Sequence, residues 1–160
     1  MDLTGHDVAG VVDLFGALTR AELGEALAEL AFKRGEDHDP DAFAADIDAA
    51  VRSYHLVAVE PDATDAAVDE TLYVVGPVAF PELPEGATDL PHILDVESRN
   101  IERETVARAA ERRFRDDASA AVEAGDTERI EALLDVSYEL EAWGGVDLAR
   151  SRDRLDATLQ

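Results

Sequence analysis

The chain has 160 residues, 46% of them hydrophobic, with 37 Asp and Glu against 14 Lys and Arg, a formal net charge of −23 and no cysteine. That length holds one ordinary domain, or a small domain with a helical extension. The absence of cysteine excludes disulfides, zinc fingers, iron–sulfur clusters and cysteine nucleophiles, while the charge leaves two explanations, disorder or a salt-adapted surface.

The first element opens at Thr4, an N-cap with Asp7 three residues on, and continues as one apolar stripe through Val8, Val11, Val12, Phe15 and Leu18. Thr19-Arg20-Ala21-Glu22 is a capping box that starts a second helix, with Leu18 and Leu23 placed to form a hydrophobic staple. Leu23, Leu27 and Leu30 make its buried face. Lys33 and Arg34 suit its negative end, and Gly35 stops it. A third helix is expected from Asp39-Pro40, with Phe43, Ile47, Ala50, Val51 and Tyr54 on one side. The period then changes. His55–Glu60 and Thr71–Val75 are short and rich in β-branched residues, and the polar run Pro61-Asp62-Ala63-Thr64-Asp65 lies between them. They predict a β-hairpin with a long tip.

Three short helices followed by a hairpin, over residues 4–76, resemble the winged helix-turn-helix superfamily in element order only. Pro77, Pro81, Pro84 and Pro91 then mark an extended, stiffened linker. A long helix is expected from about Asp95 to Ala124, with Val106, Ala110, Phe114 and Ala121 on one face and Ala118 beside it. Gly125 stops it and Asp126 caps the next, which gathers Ile130, Leu133, Leu134, Ser137 and Leu140. Gly144-Gly145 breaks the chain, and Asp147 caps a last helix bearing Leu148, Leu155 and Leu159. The Ala124-Gly125-Asp126 turn is similar to a tetratricopeptide hairpin, but no period of about 34 residues accompanies it. The fold class is thus mainly α with a small β-hairpin. The expected layout is a winged-helix-like part at 1–76, a proline-rich linker at 77–94 and an α-helical region at 95–160. That last region is a helical hairpin or three-helix extension.

Helical periodicity through most of the chain favours the salt-adapted explanation of the charge over disorder. At about 1 M salt the Debye length is near 3 Å, so self-repulsion is screened. Lys33 is the single lysine, and every other basic residue is arginine. That composition resembles proteins of haloarchaea. The runs Val11 to Gly35 and Glu128 to Gly145 resemble an uncharacterised haloarchaeal protein family, which implies no mechanism. Met1-Asp2-Leu3-Thr4 has no basic stretch leading into an apolar core, and no apolar run approaches about 18 residues. A cytoplasmic location is expected.

Ser53, Ser98, Ser119, Ser137 and Ser151 lie outside any Gly-x-Ser-x-Gly turn and inside or at the ends of expected helices. No glycine-rich nucleotide loop occurs. Asp37, Asp39, Asp41 and Asp48 have EF-hand spacing. Ala42 replaces the obligatory glycine, and Pro40 starts a helix instead. His6, His38, His55 and His92 lack metal-ligand spacing, and paired carboxylates are too many to single out one pair. No enzyme, cofactor or metal is expected.

Binding is left. The third helix and the hairpin tip, the parts a winged helix turns toward DNA, carry Glu36, Asp37, Asp39, Asp41, Asp46, Asp48, Asp62, Asp65, Asp69 and Glu70. Arg52 is the one cation there, so the charge distribution does not support nucleic-acid binding by these parts. On the long helix, Arg108, Arg112 and Arg115 share a face with Glu104 and Glu111, in favourable i, i+4 order. That face is an ion-paired surface or a phosphate-contacting stripe. Tyr138 and Trp143 pack a helix corner or anchor a partner. The candidate binding surface is therefore Arg108, Arg112, Arg115, Tyr138 and Trp143. The expected function is a non-catalytic, winged-helix-like interaction or adaptor protein, binding a protein partner or itself, with no membrane association. The alternative is a DNA-binding transcriptional regulator.

Overall fold

A computed structural model describes residues 1–64 and 68–160. It is mainly helical with a small three-stranded antiparallel sheet. Helix α1 spans Gly5–Phe15, strand β1 Ala17–Thr19 and helix α2 Arg20–Lys33. Helix α3 (Ala44–Arg52) follows a 3-10 turn at Pro40–Phe43. Strands β2 (Leu56–Val59) and β3 (Leu72–Val75) form the hairpin. Short helix α4 (Leu90–Ile93) comes next, then α5 (Arg103–Ala124), α6 (Thr127–Gly144) and α7 (Ala149–Leu159).

The two expected threonine N-caps form full capping boxes. Thr4 Oγ1 accepts from the Asp7 amide at 3.1 Å, and Thr19 Oγ1 accepts from the Glu22 amide at 3.2 Å. Each carboxylate returns the bond, at 2.9 Å in both cases. Two orphan amides per helix start are thereby satisfied.

Strand β1 is a correction to the sequence reading, which placed Leu18 on the stripe of the first helix. The helix stops at Phe15 because Gly16 adopts φ +86°, and a Cβ there would lie 1.8 Å from the Arg99 carbonyl oxygen. Leu18 then pairs with Tyr73, giving the sheet order β1-β3-β2. A second correction concerns α5, which begins at Arg103 rather than Asp95. Residues 95–102 run without regular structure, since the Arg99 amide is spent on the Phe15 carbonyl at 2.8 Å. Ser98 is therefore not helical. The third helix is also shorter than expected. Asp39 makes no side-chain cap bond, and Tyr54 leaves the helix at φ +64°. The proline-rich segment is not wholly extended, because Ala87–Asp89 turns into α4 and buries Ala87 and Leu90.

The sheet separates two apolar cores. Alternation along a strand sends successive side chains to opposite faces. Leu56, Tyr73 and Val75 face the cluster of Val8, Val12, Phe15, Leu27 and Ile47 on α1 to α3. Val57, Val59 and Val74 face Val106, Phe114, Ile130, Leu140 and Leu155 on α5 to α7. Helix α5 therefore lies over the sheet face that the N-terminal helices leave open. Ser137, the one polar residue on the buried face of α6, donates to the Leu134 carbonyl at 2.6 Å.

Candidate functional site

Helix α3 buries Ile47 and Ala50 and turns Ala45, Asp48, Ala49 and Arg52 to solvent. Asp41 and Asp48 are exposed, as are Asp62, Asp69 and Glu70 of the segment joining β2 and β3. Asp65 lies outside the described residues. A groove of about 310 Å³ runs between the start of α2, the Pro40 turn and Glu70, with Arg20, Asp41 and Ile47 in its lining. The Arg20 guanidinium bonds Asp48 and lies 5.9 Å from the Tyr73 ring centre. α2, α3 and the hairpin thus present one acidic, continuous face with an apolar floor.

The arginines occupy a different side. Arg108, Arg112 and Arg115 are all exposed on one edge of α5. Arg108 bonds Glu104, and Arg115 lies 3.5 Å from Glu111, so both expected i, i+4 pairs are present. Tyr138 and Trp143 lie on α6, and each meets one arginine outside the stripe, with Tyr138 still 61% exposed. Arg152 sits 4.7 Å from the Tyr138 ring centre and Arg103 sits 4.5 Å from that of Trp143. Arg152 is itself fixed at 2.6 Å by Glu141, whose carboxyl is held below the usual range by that bond and by the Leu148 amide. The structure keeps the three stripe arginines together and leaves the two aromatics in contacts of their own.

Two polar knots join the halves of the molecule. Arg99 reaches back to α2, with Nη1 donating to Glu22 Oε1 at 2.5 Å, Nη2 donating to Oε2 at 2.9 Å and Nη1 also donating to the Ala17 carbonyl at 3.1 Å. These bonds hold the Glu22 carboxyl below its ordinary value. Beside them lies an open groove of about 770 Å³ between residues 95–102 and the segment joining β2 and β3. In the second knot, the fully buried Tyr54 hydroxyl donates to Asp117 Oδ2 at 2.6 Å. Arg113 and Arg129 donate to the same oxygen at 3.2 and 3.3 Å. Burial, then this bond, pushes the phenol well above its usual pKa, so it stays a donor.

One cluster had no sequence signal. His6 and His55 stand far apart in the chain, yet their rings meet edge to face at 4.6 Å. His6 Nδ1 accepts from the Phe80 amide at 3.0 Å, pinning the proline-rich segment to α1. Burial, then the neighbouring His6, lowers the His55 pKa. Of the EF-hand-spaced carboxylates, Asp48 is engaged by Arg20 and Asp39 precedes the Pro40 turn. Among the described residues no helix is long and apolar enough to cross a membrane.

A model of a family of unknown function (DUF7109) matches residues 6–160, and the chain belongs to that family. No curated protein and no solved structure matches it.

Proposed function

As membership of that family assigns no activity, we propose from the site that this protein is a non-catalytic, winged-helix-like interaction module of a salt-rich cytoplasm. Its α3 and hairpin face docks a cationic protein surface. The order helix, strand, helix, helix, strand, strand, with sheet order β1-β3-β2, supports the winged-helix-like reading of residues 4–76. The observation that carries the function is the charge of the face around the 310 Å³ groove. Asp41 and Glu70 line the groove, Asp48 is held beside it by Arg20, and Asp69 precedes Glu70; all four carboxylates are exposed, and of the two arginines on this face Arg20 is already bonded to Asp48. Such a face repels phosphates and attracts Lys- or Arg-bearing surfaces. Ala21, Pro40 and Ala44, all exposed in the groove lining, supply the apolar patch on which such a partner can bury area.

The test places a photo-crosslinking residue at Asp69, and separately at Arg112, in protein expressed in a salt-loving host. Adducts with a basic protein from position 69, absent from position 112, support the proposal. No adduct from position 69, or recovery of DNA from it, refutes the proposal.

A second reading, a DNA-binding regulator, is favoured by the shared edge of Arg108, Arg112 and Arg115. In that case neutralising the three together abolishes DNA binding. If binding survives the change, the stripe is structural.

A further inference from the structure

We propose that the cleft between α5 and α7 is a binding site for a phosphate group, held by Arg115 and Arg150. These two arginines, from different helices, line a cleft of about 380 Å³ together with Asp147 and Ser151. Arg154, one turn beyond Arg150, donates to Ser119 Oγ at 3.4 Å, and Ser119 lies one turn beyond Arg115. Helices α5 and α7 therefore run side by side in the same direction. The Arg108, Arg112 and Arg115 edge of α5 continues across the seam onto Arg150 and Arg154.

The charge pattern argues that this edge does more than solvate the surface. The chain has 37 acidic residues for 14 basic ones, so a carboxylate partner is available almost everywhere. Arg20, Arg99, Arg108, Arg113, Arg115, Arg129 and Arg152 each take one. Among the described residues, the side chains of Arg52, Arg112 and Arg150 make neither an ion pair nor a hydrogen bond, and two of these three belong to this edge. The carboxylates nearby are partly committed. Glu111 lies on Arg115, and Asp147 accepts from the Ala149 amide at 3.0 Å. Arg115 still has donors free, since a guanidinium carries five N–H groups.

Phosphate is the ligand chemistry that fits. Two planar guanidinium forks from opposite walls match its tetrahedral oxygens, and the Ser151 hydroxyl adds a neutral donor. Molar salt removes most of the counterion-release drive, so directional bonds from converging arginines carry the affinity. The site is separate from the acidic face of α3, and its test uses different residues.

The test follows the arginine Nε–Hε signals of the full-length protein by two-dimensional NMR in about 2 M KCl. The titrants are potassium pyrophosphate and, separately, an oligothymidine. Saturable shifts at Arg115 and Arg150, with affinity reduced about tenfold or more in Arg150→Gln and unchanged in Arg52→Gln, support the site. Arg150 is exposed and unbonded, so its replacement leaves the fold intact. Tighter binding of the oligothymidine assigns the phosphate to a nucleic-acid backbone. Tighter binding of pyrophosphate assigns it to a small ligand. If no shift saturates, if Arg52 responds equally, or if Arg150→Gln keeps full affinity, the proposal is overturned.

Discussion

Replacing Tyr54 with phenylalanine tests how the helical region is fastened to the sheet. The ring is fully buried, rests against Phe114 with ring centres 6.3 Å apart, and keeps those contacts in the variant. Only the hydroxyl is lost, and with it the 2.6 Å bond to Asp117. A hydrogen bond to a charged group contributes about 1.5–3 kcal/mol. Asp117 retains Arg113 and Arg129, so its charge is not orphaned, which places the expected cost at the lower end, about 1.5 kcal/mol. For a chain of this size each kcal/mol moves Tm by about 2–4 °C, so the loss is about 3–6 °C. Calorimetry at fixed molar KCl measures it. A Tm unchanged within a degree would show that the Tyr54–Asp117 bond does not fasten the two halves. Combining the change with Asp117→Asn should then give less than the sum of the single effects, because both remove the same bond.

Other changes have equally definite expectations. Gly10→Ala should destabilise by several kcal/mol, since a Cβ there would lie 1.8 Å from the Glu82 carbonyl oxygen; urea unfolding reads the midpoint, and an unchanged midpoint contradicts the packing of residues 80–82 on α1. Stability should fall as pH drops below about 6.5, because the unfolded chain protonates His55 before the folded one does. A His55→Phe variant should lose that slope. Glu22 acts lower on the scale. Its carboxyl is depressed when folded, so its contribution is complete above about 4.3 and is lost as pH falls through the depressed value. Glu22→Gln should therefore flatten the acid limb below about pH 4 and leave the neutral region alone. If the surface is salt-adapted, dilution below about 0.5 M should loosen the chain through carboxylate repulsion, and an unchanged cooperative circular-dichroism melt would contradict that.

What the sequence made legible was local. Thr4 with Asp7 and Thr19 with Glu22 announce two helix starts because a capping box is written within four residues. The leucines of α2 and the apolar face of α6 follow from a 3.6-residue period. Strand β1 was hidden because Gly16-Ala17-Leu18 continues the helical stripe. Only the distant Arg99 carbonyl against Gly16, and pairing with Leu72 to Val74, make it a strand. The same distant contact hid the true start of α5, since Ser98-Arg99-Asn100 gives no local stop signal. The arginine stripe was visible at i, i+4 spacing. Its continuation onto Arg150 was not, because that depends on the direction in which α7 packs along α5. His6 and His55 meet only through the fold.

The most direct measurement of the central claim uses a tagged copy in a salt-loving host. Gentle crosslinking in the cell, pull-down and sequencing of the recovered DNA offer it every genomic site at once, while the same sample is analysed for proteins. The account expects a flat DNA profile together with a recurrent basic protein that is lost when Asp41, Asp69 and Glu70 are changed to lysine. Discrete enriched loci that survive those changes would contradict it and assign the function to the arginine edge.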